Sequence, residues 1–152
     1  MIDKNKVAEL LDRISQAAEG SNERDDLIFE LVDNYRDVKI VPFLVGLIES
    51  SNIENLDSTL VYSCHEYSIE ECLNYFELWI RILIDSNYES AWAALSILSD
   101  LRDIYSQMDI NRVNESYEKL KNVLNPSTET GPLIEDAIFY LEEDFFSGEQ
   151  NS

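Results

Sequence analysis

The chain is 152 residues long, 45% of them hydrophobic, and contains only four Gly and three Pro. A chain of this size and hydrophobicity can bury one core, which excludes wholesale disorder and leaves little room for two full domains. Its 31 Asp and Glu outnumber its 11 Lys and Arg, for a formal net charge of −20. Phosphate backbones and anionic lipid surfaces would repel such a protein, so we expect neither a nucleic acid nor a membrane as partner. Charge alone leaves two explanations open, which are solubility in general and a basic partner.

The termini and the cysteines indicate the compartment. The N-terminal segment MIDKNKVAELL has acidic residues and no apolar run of signal-peptide length, and no stretch reaches the roughly 18 apolar residues of a membrane span. We therefore expect a cytoplasmic protein. Two cysteines, Cys64 and Cys72, accompany a single His, which suggests neither a disulfide framework nor a zinc site. We expect both thiols to be reduced and structural, and we expect no cofactor.

The N-terminal part of the chain has two runs of helical periodicity. The first follows Asp3, a good N-cap residue, and ends at Gly20. The second follows the cap candidates Ser21 and Asn22 and stops at the polar segment 34–37. The apolar stripes of these runs are Val7, Leu10, Leu11 and Ile14, then Leu27, Ile28, Leu31 and Val32. The two helices would form a first hairpin.

Four helices are predicted in the middle of the chain. Segment 38–50 is too long and too helix-periodic for a strand, and Pro42 stands near its start, where a missing N–H costs least. A helix from about residue 53 to 67 follows, and then two longer, well-buried helices, 69–86 and 88–104. The turn between these last two, DSNY, consists of polar residues that cap helices and form turns.

The C-terminal part adds two helices. A more polar helix is predicted at 109–124, and a loop at 125–132, which contains two of the three prolines, is expected to be mobile. A last helix spans 133–146, and the tail 147–152 is expected to be frayed. The prediction is therefore one all-α domain over residues 1–146, with about eight helices in four antiparallel hairpins.

Two stretches of the chain are similar to each other. One, YRDVKIVPFLVGLIESSNIENLDSTLVYS, starts at Tyr35, and the other, YSIEECLNYFELWIRILIDSNYESAWAALSILSDL, starts at Tyr67. The second is longer before its turn by about one helical turn. A repeat of roughly 32 to 36 residues lies in the range that indicates a stack of helical hairpins, an α-solenoid.

The segment VPFLVGLIES, its short turn and the following NLDSTLVYSCHEY resemble a HEAT-type repeat, whose first helix carries a Pro before a Leu-rich run. Over about residues 27–104, the chain is similar to the small HEAT-like immunity proteins of bacterial polymorphic toxin systems, including contact-dependent growth inhibition. The terminal hairpins match this family only as helices. The resemblance implies a short, right-handed, HEAT-like α-solenoid that binds and neutralises a cognate toxin.

No residue pattern indicates catalysis. His65 lies between Cys64 and Glu66, and neighbouring helical residues point about 100° apart, so the three side chains cannot converge on one atom. For the same reason, sequential carboxylate pairs are expected on solvated helix faces, not in acid–base or metal sites. These pairs are Asp25 and Asp26, Glu70 and Glu71, and Glu142 and Glu143. Glycine-rich phosphate loops, GxSxG, CxxC and HExxH are absent, and we expect the protein not to be an enzyme.

Trp92 is the aromatic residue that best suits a binding surface. Other aromatic residues fall on buried stripes, among them Phe43, Phe76, Trp79 and Phe145. Trp92 instead shares a lateral helix face with Ser96, Ser99 and Asp103. An aromatic side chain among small polar residues suits an interface anchor. The alternative is that Trp92 packs between hairpins.

Comparable faces are predicted on helix 53–67 and on the last helix. If the hairpins stack in parallel, their second helices line one concave side, which would form an acidic groove with aromatic anchors. The residues predicted to bind the partner are Glu54, Asp57, Ser58, Tyr62, His65, Glu66, Glu89, Trp92, Ser96, Asp100, Asp103 and Glu135.

These features and the resemblance together predict an immunity protein. Its acidic concave surface would bind a cognate toxin domain, a basic nuclease, and would both raise the association rate and cover the nucleic-acid face of the toxin. The protein would act as a monomer or weak dimer. The alternative is a general HEAT-like adaptor or assembly chaperone for a basic cytosolic protein.

Overall fold

The fold is known from a computed structural model, which describes residues 3–146. Nine α-helices lie in this range: α1 (Lys4–Gln16), α2 (Asn22–Asn34), α3 (Val41–Glu49), α4 (Ser58–His65), α5 (Ile69–Leu73), α6 (Phe76–Asp85), α7 (Tyr88–Leu101), α8 (Ile110–Val123) and α9 (Gly131–Leu141). Short 3-10 helices span Ile53–Asn55 and Arg102–Gln107, and a π-helical turn spans Glu142–Phe146. Residues 3–146 contain no strand, so the predicted all-α class of about eight helices is confirmed.

The predicted helix caps are confirmed for three helices. Asp3 Oδ1 accepts hydrogen bonds from the first turn of α1, and Ser21 Oγ accepts one from Arg24 N at 3.1 Å. Asn87 Oδ1 caps α7 by accepting from Ser90 N at 3.0 Å. The end of the first helix was predicted too late, because α1 already stops at Gln16. Gly20 lies in the turn before α2. Its φ of 73° is in the left-handed region, where a residue with a Cβ would be strained.

The chain divides after Ser68 into two units. In the first unit, α1 packs on α2, α3 packs on α4, and α2 also contacts α4. Of the eight stripe residues predicted in α1 and α2, only Leu11 is half-buried and the others are buried. The apolar faces of α3 and α4 complete this core with Val41, Leu44, Val45, Ile48, Leu60, Val61 and Cys64.

In the second unit, α6 and α7 form the most extensive helix pair, and α8 packs on α9. The helix α7 also contacts α5 and α9, so most of its surface is covered. Phe76 and Trp79 are buried, as predicted. The half-buried Phe43 and Phe145 differ from the prediction: Phe43 lies at the edge of the α3 stripe, and Phe145 lies in the π-helical turn, outside regular helical phase. The four predicted helix pairs are thus present, two in each unit, while their stacking into one α-solenoid domain stays a prediction.

The predicted helix 69–86 is interrupted at residues 74 and 75. The carbonyl oxygen of Cys72 accepts from Tyr75 N at 3.0 Å and from the indole Nε1 of Trp79 at 2.8 Å. In a continuous helix this oxygen would accept from Phe76 N. The buried Trp79 indole takes that acceptor, so α5 ends at Leu73 and α6 starts at Phe76.

Two other predicted helices have different boundaries, the first because side chains cap it internally. The segment from residue 53 starts as a 3-10 turn capped by Asn52, and α4 starts only at Ser58, where Asp57 Oδ1 accepts from Thr59 N at 3.0 Å. The helix predicted at 88–104 ends at Leu101 and continues as a 3-10 helix.

The predicted loop 125–132 already contains the start of the last helix. Asn125 Oδ1 accepts from Ser127 N, and α9 begins at Gly131, where a Cβ would lie 2.3 Å from the carbonyl oxygen of Asn125. Only glycine, which lacks a Cβ, lets the backbone at position 131 come this close to the carbonyl of Asn125. The predicted mobility of this loop stays a prediction, and the predicted frayed tail lies outside the described residues. Among the helices of residues 3–146, none is long and apolar enough to cross a bilayer.

Candidate protein-binding surface

The helix α7 has one narrow outward face on an otherwise buried cylinder. Its inner side is built of small and branched apolar residues, namely Ala91, Ala93, Ala94, Leu95, Ile97, Leu98 and Leu101. The three alanines allow neighbouring helices to approach α7 closely. The outward face carries Trp92, whose side chain is 47% exposed, together with exposed Ser99 and half-buried Ser96. Trp92 is therefore not buried within its own unit.

The position of Trp92 is set by a rigid helix. Asn87 caps the N-terminus of α7, and the hydroxyl of Tyr105 donates to Leu98 O at 2.7 Å near its C-terminus. Burial and the charge of Asp144 raise the pKa of this Tyr105 hydroxyl, which therefore stays protonated as a donor. The Ser96 hydroxyl donates to Trp92 O at 3.1 Å. The indole therefore projects from a fixed backbone, which lowers the entropy cost of using it as a contact.

The surroundings of Trp92 are acidic. Glu89 stands three residues before it on the same face, and Asp100 and Asp103 are exposed further along. No Lys or Arg occurs between Arg81 and Arg102 in the sequence, so α7 itself contains no cation. We call the set Glu89, Trp92, Ser96, Ser99, Asp100 and Asp103 the α7 face.

Carboxylates of the last helical segment have two different surroundings. Glu135 and Asp136 are exposed on α9. The pair Glu142 and Glu143 was predicted to lie on a solvated face, and both are exposed but have partners within the unit. Glu142 accepts from the Tyr117 hydroxyl at 2.8 Å, and Glu143 lies 3.6 Å from Arg102 Nη2.

In the first unit, the predicted site residues of α4 differ in exposure. Tyr62 is 41% exposed, and Glu66 forms an ion pair with Arg36 at 3.2 Å on the surface. His65 and Ser58 are half-buried, and Glu54 is exposed in the preceding 3-10 turn. That these residues and the α7 face form one surface stays a prediction.

Asp57, which was predicted to bind the partner, lies instead in a buried charged cluster. The Asp57 side chain is 12% exposed and caps α4. The distance from Asp57 Oδ2 to Arg24 Nη2 is 3.8 Å, and the Arg24 side chain is 5% exposed. The carboxyl group of Asp25 of α2 adjoins that of Asp57, and each shifts the pKa of the other. The expectation that Asp25 and Asp26 both occupy a solvated face is wrong for Asp25, because its partner comes from another helix and not from its sequence neighbour. We call Arg24, Asp25 and Asp57 the α2–α4 charge cluster.

The two carboxyl groups of this cluster have pKa values that are shifted in opposite directions. Burial, with the hydrogen bond and the negative charge of Asp57, raises the pKa of Asp25 to about 7. Burial also acts to raise the pKa of Asp57, but hydrogen bonds from Asp25 and Thr59 and the charge of Arg24 outweigh it, so this pKa lies below its usual value. In such a pair the carboxyl group with the raised pKa keeps the proton and can donate it to the ionised carboxylate.

A sequence signal for the cluster exists. Arg24 is in helical phase with the apolar residues Leu27, Ile28 and Leu31, so it lies on the buried stripe of α2. A charged residue on such a stripe requires a buried partner of opposite charge. The sequence does not identify that partner, because Asp57 comes from a separate helix.

Both cysteine thiols lie inside the fold. Cys64 and Cys72 are both buried, and burial, with the charge of Glu71, raises the pKa of the Cys72 thiol to about 12. Such a thiol is a poor nucleophile. Within residues 3–146, no group of three or more His, Cys, Asp or Glu side chains could hold a metal ion.

Comparison with family models, with curated proteins and with solved structures finds no match to this chain. The resemblance to HEAT-like immunity proteins therefore stays a prediction.

Proposed function

We propose that this protein binds a basic protein partner through the α7 face, with Trp92 as the central contact. The carrying observation is the 47% exposure of an indole on a helix that is otherwise packed against its neighbours. Burying an exposed Trp yields a large gain in apolar contact, and Trp is among the residues most enriched at the energetic centres of interfaces.

The charge of the α7 face supports a basic partner. Glu89 precedes the indole by about one helical turn, Asp100 and Asp103 are exposed further along the chain, and neither Lys nor Arg occurs in α7. A partner with a positive surface would associate faster because of long-range attraction, while an acidic partner would be repelled. Charged rim groups of this kind contribute more to the rate and selectivity of association than to equilibrium affinity.

We further propose that the partner is a cognate toxin domain, a basic nuclease, and that the protein acts in the cytoplasm as its immunity protein. This part rests on the resemblance of residues 27–104 to HEAT-like immunity proteins. A nuclease must carry a positive surface for its substrate, and such a surface complements a chain with a net charge of −20.

The test is affinity capture of the tagged chain from its own host, followed by mass spectrometry, with Trp92→Ala and Ile110→Ala captured in parallel. Ile110 is 41% exposed on α8 and serves as a matched apolar control. We expect a nuclease-domain protein that is retained by the parent and by Ile110→Ala and is depleted with Trp92→Ala. Coexpression of the parent chain should then protect cells from that protein.

Two outcomes would contradict the proposal at different levels. Recovery of ribosomal or metabolic complexes, without a toxin, would favour an adaptor or assembly chaperone over an immunity protein. A toxin retained equally by parent and Trp92→Ala would preserve the immunity function and exclude the α7 face.

A further inference from the structure

The outward face of α9 carries an exposed aromatic ring with two carboxylates. Phe139 is 55% exposed, the highest value among the large apolar side chains of residues 3–146. Glu135 and Asp136, four and three residues earlier, lie on the same side of the helix and are exposed. This face belongs to a different helix from the α7 face.

The neighbouring Tyr140 shows how this unit binds an arginine side chain. The guanidinium carbon of Arg102 lies 4.5 Å from the centroid of the Tyr140 ring. Arg102 also donates to both carboxylate oxygens of Asp144, at 2.9 and 3.1 Å. Because Asp144 follows Tyr140 by about one helical turn, ring and carboxylate bind the same cation together. The Phe139 ring contacts the Tyr140 ring at a centroid distance of 6.5 Å.

The same combination recurs on α8 and α6. Lys121 Nζ lies 4.7 Å from the centroid of the Tyr117 ring and 3.7 Å from the carboxylate of Glu118. Arg112 lies 6.0 Å from the centroid of the Phe76 ring and forms an ion pair with Glu77. The recurrence has a physical basis, because the negative face of an aromatic ring and a carboxylate both attract a cation.

We propose that Phe139, Glu135 and Asp136 form a binding site for an arginine side chain of a basic protein partner. The site has the ring and the carboxylates of the internal examples, and the chain itself has no Lys or Arg after Lys121. Within the described residues, neither Glu135 nor Asp136 forms an ion pair. The proposal rests on the proposed function in taking a basic protein as the partner.

Arginine fits the site better than other groups. An apolar group would desolvate Glu135 and Asp136 without compensation, and an acidic group would be repelled. A guanidinium plane can stack on the Phe139 ring while its N–H groups donate to a carboxylate. The lysine ammonium is more strongly hydrated and cannot stack in this way, so it should bind more weakly.

The test is an NMR titration of the isotope-labelled chain with a short peptide of alternating Gly and Arg at low ionic strength. Matched peptides contain Lys or the neutral isostere citrulline in place of Arg. We expect amide signals of α9 around Phe139 to shift with the Arg peptide, less with the Lys peptide and not with the citrulline peptide. Phe139→Leu should weaken the affinity measured from these signals about two- to fivefold, as expected for an exposed cation–π contact.

Asp136→Asn should also weaken binding at α9, whereas Ile110→Leu, an exposed apolar change on α8, should not. Thermal melting confirms that each variant is folded. The proposal is overturned if Phe139→Leu and Asp136→Asn bind like the parent, or if the Lys peptide binds as tightly as the Arg peptide. Because the titration uses no natural partner, its failure leaves the capture experiment with Trp92→Ala unaffected, and the reverse also holds.

Discussion

The α2–α4 charge cluster and the α7 face use acidic residues in opposite ways. In the cluster, Asp25 and Asp57 lie beside the buried Arg24 and act within the fold. On the α7 face, the carboxylates are exposed, as is the Trp92 indole, and α7 itself contains no Lys or Arg. Net charge therefore does not show which carboxylates can meet a partner. Burial distinguishes the two groups.

The largest effect is expected from removing the cation of the cluster. Arg24→Met keeps an apolar chain of similar length but leaves Asp57 with less compensation for its buried charge. We expect the free energy of unfolding to fall by about 3 kcal/mol, the lower end for breaking a buried pair. Urea denaturation measures this directly. Arg36→Met removes an ion pair whose Arg side chain is 59% exposed, and it should cost less than about 1 kcal/mol. Equal losses of unfolding free energy in Arg24→Met and Arg36→Met would contradict the expected difference between a buried and a surface ion pair.

The next effect concerns partner affinity. Trp92→Ala should weaken binding by about 2 kcal/mol or more, mainly through faster dissociation, because a desolvated aromatic anchor is lost. Surface plasmon resonance with the captured partner gives both rates. The melting temperature should stay near that of the parent, since the side chain is 47% exposed. A large drop in melting temperature would show that Trp92 serves the fold, as in the alternative packing prediction.

A smaller effect is expected from the raised pKa of Asp25 in the cluster. The folded state holds the Asp25 proton up to about pH 7, whereas the unfolded chain releases it near 3.8. The free energy of unfolding should therefore fall as pH rises from about 4 to 7 and then level off. Asp57 acts with the opposite sign only at lower pH, because its pKa is depressed.

Asp25→Asn should remove this dependence, because its amide donates to Asp57 at every pH. Between about pH 5.5 and 8, the parent should lose about 1 kcal/mol of stability, discounted for partial exposure of Asp25, and the variant much less. Asp26→Asn, on the exposed neighbour, should behave like the parent. Parallel stability curves for parent and Asp25→Asn would contradict a raised pKa of Asp25.

The smallest equilibrium effect is expected at the rim of the α7 face. Asp103→Lys should slow association several-fold at low salt while changing affinity by under about 1 kcal/mol. Raising the salt concentration should slow parental association and reduce the difference, because the Debye length is about 8 Å at physiological ionic strength. Glu115→Lys, at an exposed position of α8 in the same unit, makes the same change in net charge and should slow association less. An association rate that does not change with salt concentration would mean that the acidic residues serve solubility and not partner binding.

Much of the fold was predictable because it depends on local patterns. The stripes of α1 and α2 and the caps at Asp3, Ser21 and Asn87 follow from residue spacing and side-chain chemistry. The outward position of Trp92 also follows from helical phase. The break before α6 was not predictable, because it depends on the Trp79 indole reaching the carbonyl of Cys72.

Long-range pairing explains the remaining differences. Asp57 was predicted to bind the partner, but it pairs with Arg24, which lies more than 30 residues earlier. The helical phase of Arg24 predicts that it is buried but does not identify its partner. For this reason Asp57→Lys is a test of stability and not of association.

The most direct test of the account is acrylamide quenching of tryptophan fluorescence, with and without the captured partner. The chain has two Trp, of which Trp79 is fully buried and Trp92 is 47% exposed. Trp92→Phe leaves only Trp79 and supplies the background. The account predicts that quenching of Trp92 in the free chain falls to near this background in the complex. Quenching of Trp92 that is unchanged in a saturated complex would contradict the claim that the α7 face binds the partner.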